Sequence, residues 1–117
     1  MEKFEFDFEK LKVYQKSLDF IDKTFEIYKG LAQDYKISIG YNRVSAALSV
    51  ANNIAEGNDK DSDKERIRYF AISSDSAREC VSVLNVLKRQ NLINEEKFVQ
   101  LRNDAREITS MLGGLRK

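Results

Sequence analysis

The chain has 117 residues and a formal net charge of +1, and a third of its residues are charged. It contains no histidine and a single cysteine, which excludes a structural zinc site, an internal disulfide and any nucleophile that needs a histidine base. No apolar run reaches the roughly 20 residues that cross a bilayer, and the first residues lack the layout of a signal peptide. We therefore expect one cytoplasmic domain over residues 1–117, with no metal and no cofactor.

The first predicted helix runs from about Asp7 to Ala32, with Asp7 as a candidate N-cap. Its apolar residues recur at spacings of three and four, which places one side chain per turn on the same side of an α-helix. They are Leu11, Tyr14, Leu18, Ile21, Phe25, Tyr28 and Ala32. Ahead of this helix, phenylalanines alternate with acidic residues, so residues 1–8 are predicted to form a short extended arm. The arm packs either on its own helices or on a neighbouring subunit.

The second predicted helix runs from about Ser38 to Glu56. Its apolar stripe consists of Ile37, Tyr41, Val44, Leu48, Ala51 and Ala55. Gly57 follows directly and suits the left-handed position that ends many helices, where a Cβ atom would clash.

Ser62 and Glu65 predict a capping box at the start of the third helix, which continues to about Gln90, where Asn91 can end it. Asn94 is the predicted cap of the fourth helix. Because the links between these helices are short, sequential neighbours must run antiparallel. The predicted fold is therefore all-α, an antiparallel up-down four-helix bundle. Small residues should face each other between its second and third helices: Ala46, Ala47, Ser73 and Ser74.

The third predicted helix carries two apolar stripes, whereas a lone bundle needs one stripe per helix. One stripe consists of Phe70, Ala77, Val81 and Leu84, and the other of Tyr69, Ile72, Ser76, Glu79, Val83 and Val86. The first helix also has a second set. Leaving such a side chain in water forgoes roughly 1.5–3 kcal/mol. These additional apolar residues indicate one of two arrangements. Either they belong to a wide core-facing side or are scattered over the surface, or they are buried by self-association. We expect a homo-oligomer whose interface contains Val13, Phe20, Ile27, Tyr69, Ile72, Val83 and Val86.

The second helix ends in a nine-residue segment, Ser49-Val50-Ala51-Asn52-Asn53-Ile54-Ala55-Glu56-Gly57. Asparagines are poor helix formers, so a pair of them inside a helix predicts compensating tertiary contacts. We expect Asn53 or Glu56 to bond to the third helix or to the following loop. The segment resembles the Ser-Ile-x-x-Asn-Ile-Ala-Glu-Gly signature of the 23S rRNA intervening-sequence proteins. Further similarity covers residues 11–15 and 42–47, and it includes Ser76 and Glu79 of the third helix.

This resemblance implies a small non-enzymatic bundle that assembles as a ring-like homo-oligomer, typically a pentamer. A related branch of that family serves as accessory protein to the reverse transcriptases of diversity-generating retroelements and binds nucleic acid through a basic surface. Two functions therefore stay open for this chain, and the second apolar stripes and the missing catalytic chemistry favour the first of them. The first is a self-associating scaffold or adapter with an unidentified protein partner.

The alternative is a ring that binds structured RNA. Its candidate contacts are Lys88, Arg89, Arg102, Arg106, Arg116 and Lys117. No catalytic residue is predicted. Glu56 and Glu79 could approach each other inside the bundle, but the chain has no histidine to complete a di-iron site with them. Cys80 lies between the two stripes of the third helix and is expected to be a small buried residue.

Overall fold

The computed structural model describes residues 4–116, apart from the side chain of Asn42, and within that range the chain is helical and contains no strand. The predicted all-α class is confirmed. The helices are α1 (Lys12–Gly30), the single turn α2 (Gln33–Tyr35), α3 (Tyr41–Asn58), α4 (Asp63–Arg89) and α5 (Glu95–Leu115). A 3-10 turn, Asp7–Lys10, precedes α1, and a π-helical turn, Lys36–Gly40, leads into α3. None of these described helices is long and apolar enough to span a membrane.

The start of the first helix differs from the sequence-based expectation. Asp7 begins the 3-10 turn rather than capping α1, and the chain is extended again at Leu11, with ψ at 131°. The turn is closed by Glu9, whose carboxylate accepts a hydrogen bond from the backbone N–H of Phe6 at 2.9 Å. The predicted arm is therefore extended only up to Phe6, and its first three residues lie outside the described range.

The predicted caps of α4 and α5 are confirmed. The Ser62 hydroxyl accepts a hydrogen bond from the backbone N–H of Glu65 at 3.1 Å, and the Asn94 side chain accepts from the N–H of Lys97 at 2.8 Å. The capping box is only half formed, because the Glu65 carboxylate accepts instead from Arg68 at 3.1 Å. An i, i+3 ion pair on the surface has replaced the second capping bond.

The end of α4 is fixed by Asn91, as expected. Its φ of 58° is left-handed, a conformation that asparagine tolerates better than other residues with a side chain. The N–H of Asn91 donates to the Lys88 carbonyl, and the N–H of Leu92 donates to the Leu87 carbonyl at 2.9 Å. These two bonds form a Schellman motif, which turns the chain sharply into α5.

Helices α3 and α4 make the most extensive contact in the fold and run in opposite directions. Ser73 donates to the Val50 carbonyl at 2.7 Å, and the hydroxyls of Ser49 and Ser76 lie 2.8 Å apart. The four small residues of the predicted seam are all buried: Ala46, Ala47, Ser73 and Ser74. Their register is about one turn away from the prediction, because Ser73 lies opposite Val50 rather than the two alanines.

The two apolar stripes of α1 both contribute to the core, which differs from the expected division between core and interface. Val13 and Phe20 are buried in the core of a single chain, at 3% and 0% exposure, so they are not available to a partner, and their assignment to an oligomer interface is corrected. By contrast, Leu18 of the first stripe is 41% exposed. Apolar residues follow a helical spacing on both sides of α1, so the sequence of α1 alone does not show which side is buried. The packing of α3 and α5 against α1 decides which side faces the core.

Cys80 is completely buried in α4, as the sequence indicates, and burial raises the pKa of its thiol to about 12. Only the thiolate reacts readily with electrophiles. We therefore expect a thiol reagent at pH 8 to modify the folded protein only as fast as the protein unfolds, while the protein in urea reacts at once. The measurement is the rate of reagent uptake, and immediate reaction of the folded chain would contradict a core position.

Candidate interaction surfaces

The nine-residue segment at the end of α3 is chiefly a contact with α4. The Asn53 side chain donates to the carbonyl of Ser49 at 2.8 Å and to its hydroxyl at 3.0 Å, and that hydroxyl meets Ser76 of α4. Ile54 is completely buried, whereas Asn52 is exposed. Asn53 therefore reaches α4 through Ser49 rather than directly, and the segment holds two helices together.

Gly57 belongs to α3 and does not have the left-handed conformation that was expected of it. A Cβ atom at this position would lie 2.8 Å from the ring of Phe70 and 3.0 Å from the Cβ of Tyr69. Phe70 is itself buried at 2% exposure. The glycine is thus explained by close packing of α4 on α3 and not by the end of a helix.

The two glutamates of the segment and of α4 do not approach each other. Glu56 is exposed and lies 3.5 Å from Lys60, and Glu79 is exposed on α4. Given the contact of Ser49 with Ser76, about ten residues of α3 separate Glu56 from the turn opposite Glu79, or roughly 15 Å along the helix axis. Residues 4–116 contain no group of three or more His, Cys, Asp or Glu side chains arranged for a metal ion.

Two lysines of α1 surround a buried carboxylate of α5. Lys23 lies 2.6 Å and Lys16 lies 3.1 Å from the Asp104 carboxylate, and Lys16 also contacts Glu107 at 2.8 Å. Hydrogen bonds to Glu107 and then to Asp104 raise the pKa of Lys16. These ion pairs fix how α5 lies on α1.

Replacing Asp104 with asparagine should lower the free energy of unfolding by about 2 kcal/mol, because it removes a charged acceptor and leaves two half-buried lysines without it. Denaturation by urea measures the loss. The matched control is Glu107→Gln, which removes an exposed carboxylate and should cost less than about 1 kcal/mol. Equal losses for the two variants would show that the burial of Asp104 is unimportant.

An exposed apolar surface lies along the outer side of α1 and α3. On α1, Lys16 and Lys23 face α5, so the opposite flank of the core stripe faces α3. On α3, Ser49 and Asn53 face α4, so its other flank faces α1. The apolar residues on these two flanks, together with Ile37 of the turn before α3, form what we call the α1–α3 face: Tyr14, Leu18, Phe25, Ile37, Tyr41, Val44 and Leu48. Tyr41 and Ile37 are each 71% exposed, and Leu48 is 40% exposed.

The other residues predicted for an interface are distributed differently. Ile27 and Val83 are half-buried and pack against the core, and Ile72 is half-buried. Tyr69 is half-buried beneath two cations, with Arg68 4.7 Å and Lys60 5.2 Å from its ring centroid. Val86 alone of the predicted set is strongly exposed, at 48%. The exposed stripe of the molecule is therefore on α1 and α3, not on α4.

A groove of about 660 Å³ lies on the opposite side of the molecule, between α4 and α5. Alanines, valines and one phenylalanine form the apolar part of its lining, and three exposed arginines line it as well: Arg78, Arg102 and Arg106. Four uncharged polar residues complete the lining: Ser82, Asn85, Asn103 and Thr109. No acidic residue lines this groove, and within residues 4–116 none of its arginines forms an ion pair. We call it the arginine groove.

The residues predicted to contact nucleic acid are only partly brought together. Arg102 and Arg106 lie in the arginine groove, and Arg116 lines an adjoining hollow of about 470 Å³. Lys88 lies 3.1 Å from Glu95, Arg89 is exposed at the end of α4, and Lys117 is outside the described range. Arg78, which joins the groove to the hollow, was missed as a contact, although it lies within the Ser76–Glu79 motif.

The opposite charge gathers around the arm. Glu5 and Asp7 line a hollow of about 470 Å³ together with Glu56 and Asp59 of the α3 end. The aromatic rings of the arm form a chain in which Phe4 contacts Phe6, Phe6 contacts Phe8, and Phe8 contacts Tyr14, with centroids 4.9–5.9 Å apart. The outer rings remain in water, since Phe4 is 76% and Phe6 is 58% exposed.

One charged side chain lies inside the fold. Arg43 is completely buried between α3 and α4, where its Nη1 donates to the Cys80 carbonyl at 3.5 Å. Its Nε and Nη2 have no hydrogen-bond partner in the described part of the chain. Burial lowers the pKa of Arg43 to about 10, which still leaves the side chain charged at neutral pH. It contributes to neither outer surface.

These features define a small all-α protein whose distinctive residues hold helices together. The chain belongs to the family of 23S rRNA-intervening sequence proteins, whose family model matches residues 9–114.

The chain is also similar to a solved structure, that of a protein of unknown function from the S23 ribosomal protein family of Bacteroides thetaiotaomicron. The two are 27% identical and superpose with a TM-score of 0.82, over 89% of this chain and 94% of the other. A comparison with curated proteins finds no significant match. The family and the fold are thus established together.

Proposed function

We propose that this protein is a non-enzymatic four-helix-bundle scaffold that assembles with copies of itself through the α1–α3 face. The observation that carries the proposal is the exposure of this face, where three aliphatic side chains and a tyrosine are at least 40% exposed: Leu18, Ile37, Tyr41 and Leu48. Burying one such side chain contributes roughly 1.5–3 kcal/mol, so a contact that covers several of them supports a stable assembly.

The inner chemistry of the chain supports a structural role. Residues of the nine-residue segment contact α4 through a hydrogen bond, as Ser49 does with Ser76, or through packing, as Gly57 does against Phe70. The buried thiol of Cys80 has a raised pKa, which is the reverse of what a nucleophile needs. The family resemblance adds the expectation of a ring, typically of five subunits.

The test is the molar mass of the purified chain by light scattering after size-exclusion chromatography. The unsubstituted chain should elute at a multiple of 13.5 kDa, and Leu48→Glu should shift it toward 13.5 kDa because it places a charge in the apolar contact. The matched control is Val86→Glu, which places the same charge on the exposed side of α4 and should leave the mass unchanged.

The outcomes separate the two surfaces that can support assembly. A monomeric unsubstituted chain would contradict self-association altogether. Dissociation by Val86→Glu, with Leu48→Glu unchanged, would contradict the α1–α3 face and favour the stripe on α4 that the sequence first suggested. Both variants change exposed positions, so their circular dichroism should match that of the unsubstituted chain.

A further inference from the structure

We infer that the acidic, aromatic arm of one copy, Phe4–Phe8, docks in the arginine groove of the next copy. This inference rests on the proposed self-association and names its second surface. The arm is acidic and aromatic, whereas the groove is cationic and partly apolar. The carboxylates of the arm and the arginines of the groove can therefore serve as each other's partners.

The groove offers what an aromatic and acidic segment needs. Two small residues of its lining, Ala77 and Ala105, leave room for a ring beside Phe98 and Val99. The guanidinium of Arg102 already lies over the Phe98 ring, 5.3 Å from its centroid, so the groove joins apolar and cationic surface. A guanidinium binds a carboxylate through two parallel hydrogen bonds, which adds direction to the contact.

The arm offers the matching groups. Phe4 and Phe6 expose most of their rings, and the carboxylates of Glu5 and Asp7 form no ion pair with any described residue. On its own chain the arm lies beside further acidic residues around a shared hollow, where like charges repel. Placing Glu5 and Asp7 on a neighbour's arginines relieves this repulsion.

The groove is long enough to hold the arm. From Phe98 to Thr109 it follows eleven residues of α5, or about 16 Å. The extended part of the arm, Phe4–Phe6, spans about 10 Å, and the 3-10 turn that begins at Asp7 follows it. Each copy has one arm and one groove, so in a closed assembly every arm occupies a groove and every groove holds an arm.

The position of the two surfaces determines the symmetry. The arm lies beside the end of α3, along the α1–α3 side, and the groove lies on the α4–α5 side. A contact between different surfaces of identical chains is head-to-tail, and it produces a ring when the rotation between copies closes. A polyanion such as RNA is the rival occupant, but the apolar part of the groove's lining and the net charge of +1 favour the arm.

Charge exchange tests the inference with exposed residues only. The arm variant is Glu5→Lys with Asp7→Lys, and the groove variant is Arg102→Glu with Arg106→Glu. Each variant alone places like charges together, so its apparent dissociation constant in sedimentation should rise about tenfold or more. An equimolar mixture of the two should associate more strongly than either variant alone, because a lysine arm can then meet a glutamate groove and an acidic arm can meet an arginine groove. In a ring with an odd number of subunits the two variants cannot alternate throughout, so one contact stays unmatched and the recovery is partial.

The results distinguish this inference from the proposed function. If both variants assemble as well as the unsubstituted chain while Leu48→Glu dissociates it, self-association stands and the docking of the arm is wrong. A mixture that stays as weak as its components also overturns the docking. If the groove variant assembles normally but loses salt-dependent binding to poly(U) RNA that the unsubstituted chain shows, the groove is a nucleic-acid site instead.

Discussion

Replacing Gly57 with valine is expected to lower the free energy of unfolding by about 3 kcal/mol. The added Cβ would lie 2.8 Å from the Phe70 ring and 3.0 Å from the Tyr69 Cβ, and neither group can move away easily. Phe70 is held in the core, and the Cβ of Tyr69 moves only with the backbone of α4. Separation of α3 from α4 would relieve the contact at the expense of the packing on both sides.

The measurement is denaturation by urea, followed by circular dichroism at a fixed protein concentration, since assembly makes stability depend on concentration. The matched control is Gly113→Val in α5, where an added Cβ would have no atom within 4 Å beyond its chain neighbours and the adjacent backbone of its own helix, so the same substitution should change stability by less than about 0.5 kcal/mol. In a Phe70→Leu background, which opens space, Gly57→Val should cost less. Equal costs at the two glycines would refute the packing explanation.

Replacing Arg43 with methionine is expected to raise the free energy of unfolding by about 1–4 kcal/mol. The arginine is buried and charged, and two of its three nitrogens have no partner among residues 4–116. Desolvation of a charge without compensating hydrogen bonds is unfavourable. Methionine is flexible and of similar length, so it fills the same space without that penalty.

The control is Arg43→Lys, which keeps a buried charge and should give no gain. Thermal and urea denaturation of the three proteins at one concentration provide the comparison. A large loss of stability in the methionine variant would show that the guanidinium has a favourable partner in the folded or assembled protein, and the burial of Arg43 would then need a different explanation.

The sequence was sufficient for the class of fold and for the ends of the later helices, because these depend on local interactions. Ser62, Asn91 and Asn94 act on backbone groups within a few residues, and the geometry of a cap follows from residue type and position. The start of α1 was less predictable. Asp7 suits either a cap or a 3-10 turn, and the bond from Phe6 to Glu9 decides between them.

The sequence was insufficient where a helix has apolar residues on two sides. Val13 and Leu18 fit equally well into a helical stripe, and the buried one is selected by the helices that pack around α1. Gly57 was misjudged for a related reason. A glycine near the end of a helix usually relieves backbone strain, but the ring that requires this one comes from another helix.

The candidate surfaces show the same division between local and non-local information. Arg102 and Arg106 were identified because they lie one turn apart on one helix, a relation visible in the sequence. Arg78 was not, because it joins them only through the packing of α4 on α5. The acidic character of the arm was evident from its alternating residues. The arginine groove between α4 and α5 was not evident, because residues from two helices form it.

The serines between α3 and α4 have a consequence for the geometry of any assembly. Alanine and serine surfaces are smooth, and two such helices can slide along each other with little steric resistance. The hydrogen bonds from Ser73 to Val50 and between Ser49 and Ser76 prevent this sliding and fix the register of the two helices. Since α3 carries part of one outer surface and α4 part of the other, these few hydroxyl groups fix the position of the two surfaces relative to each other.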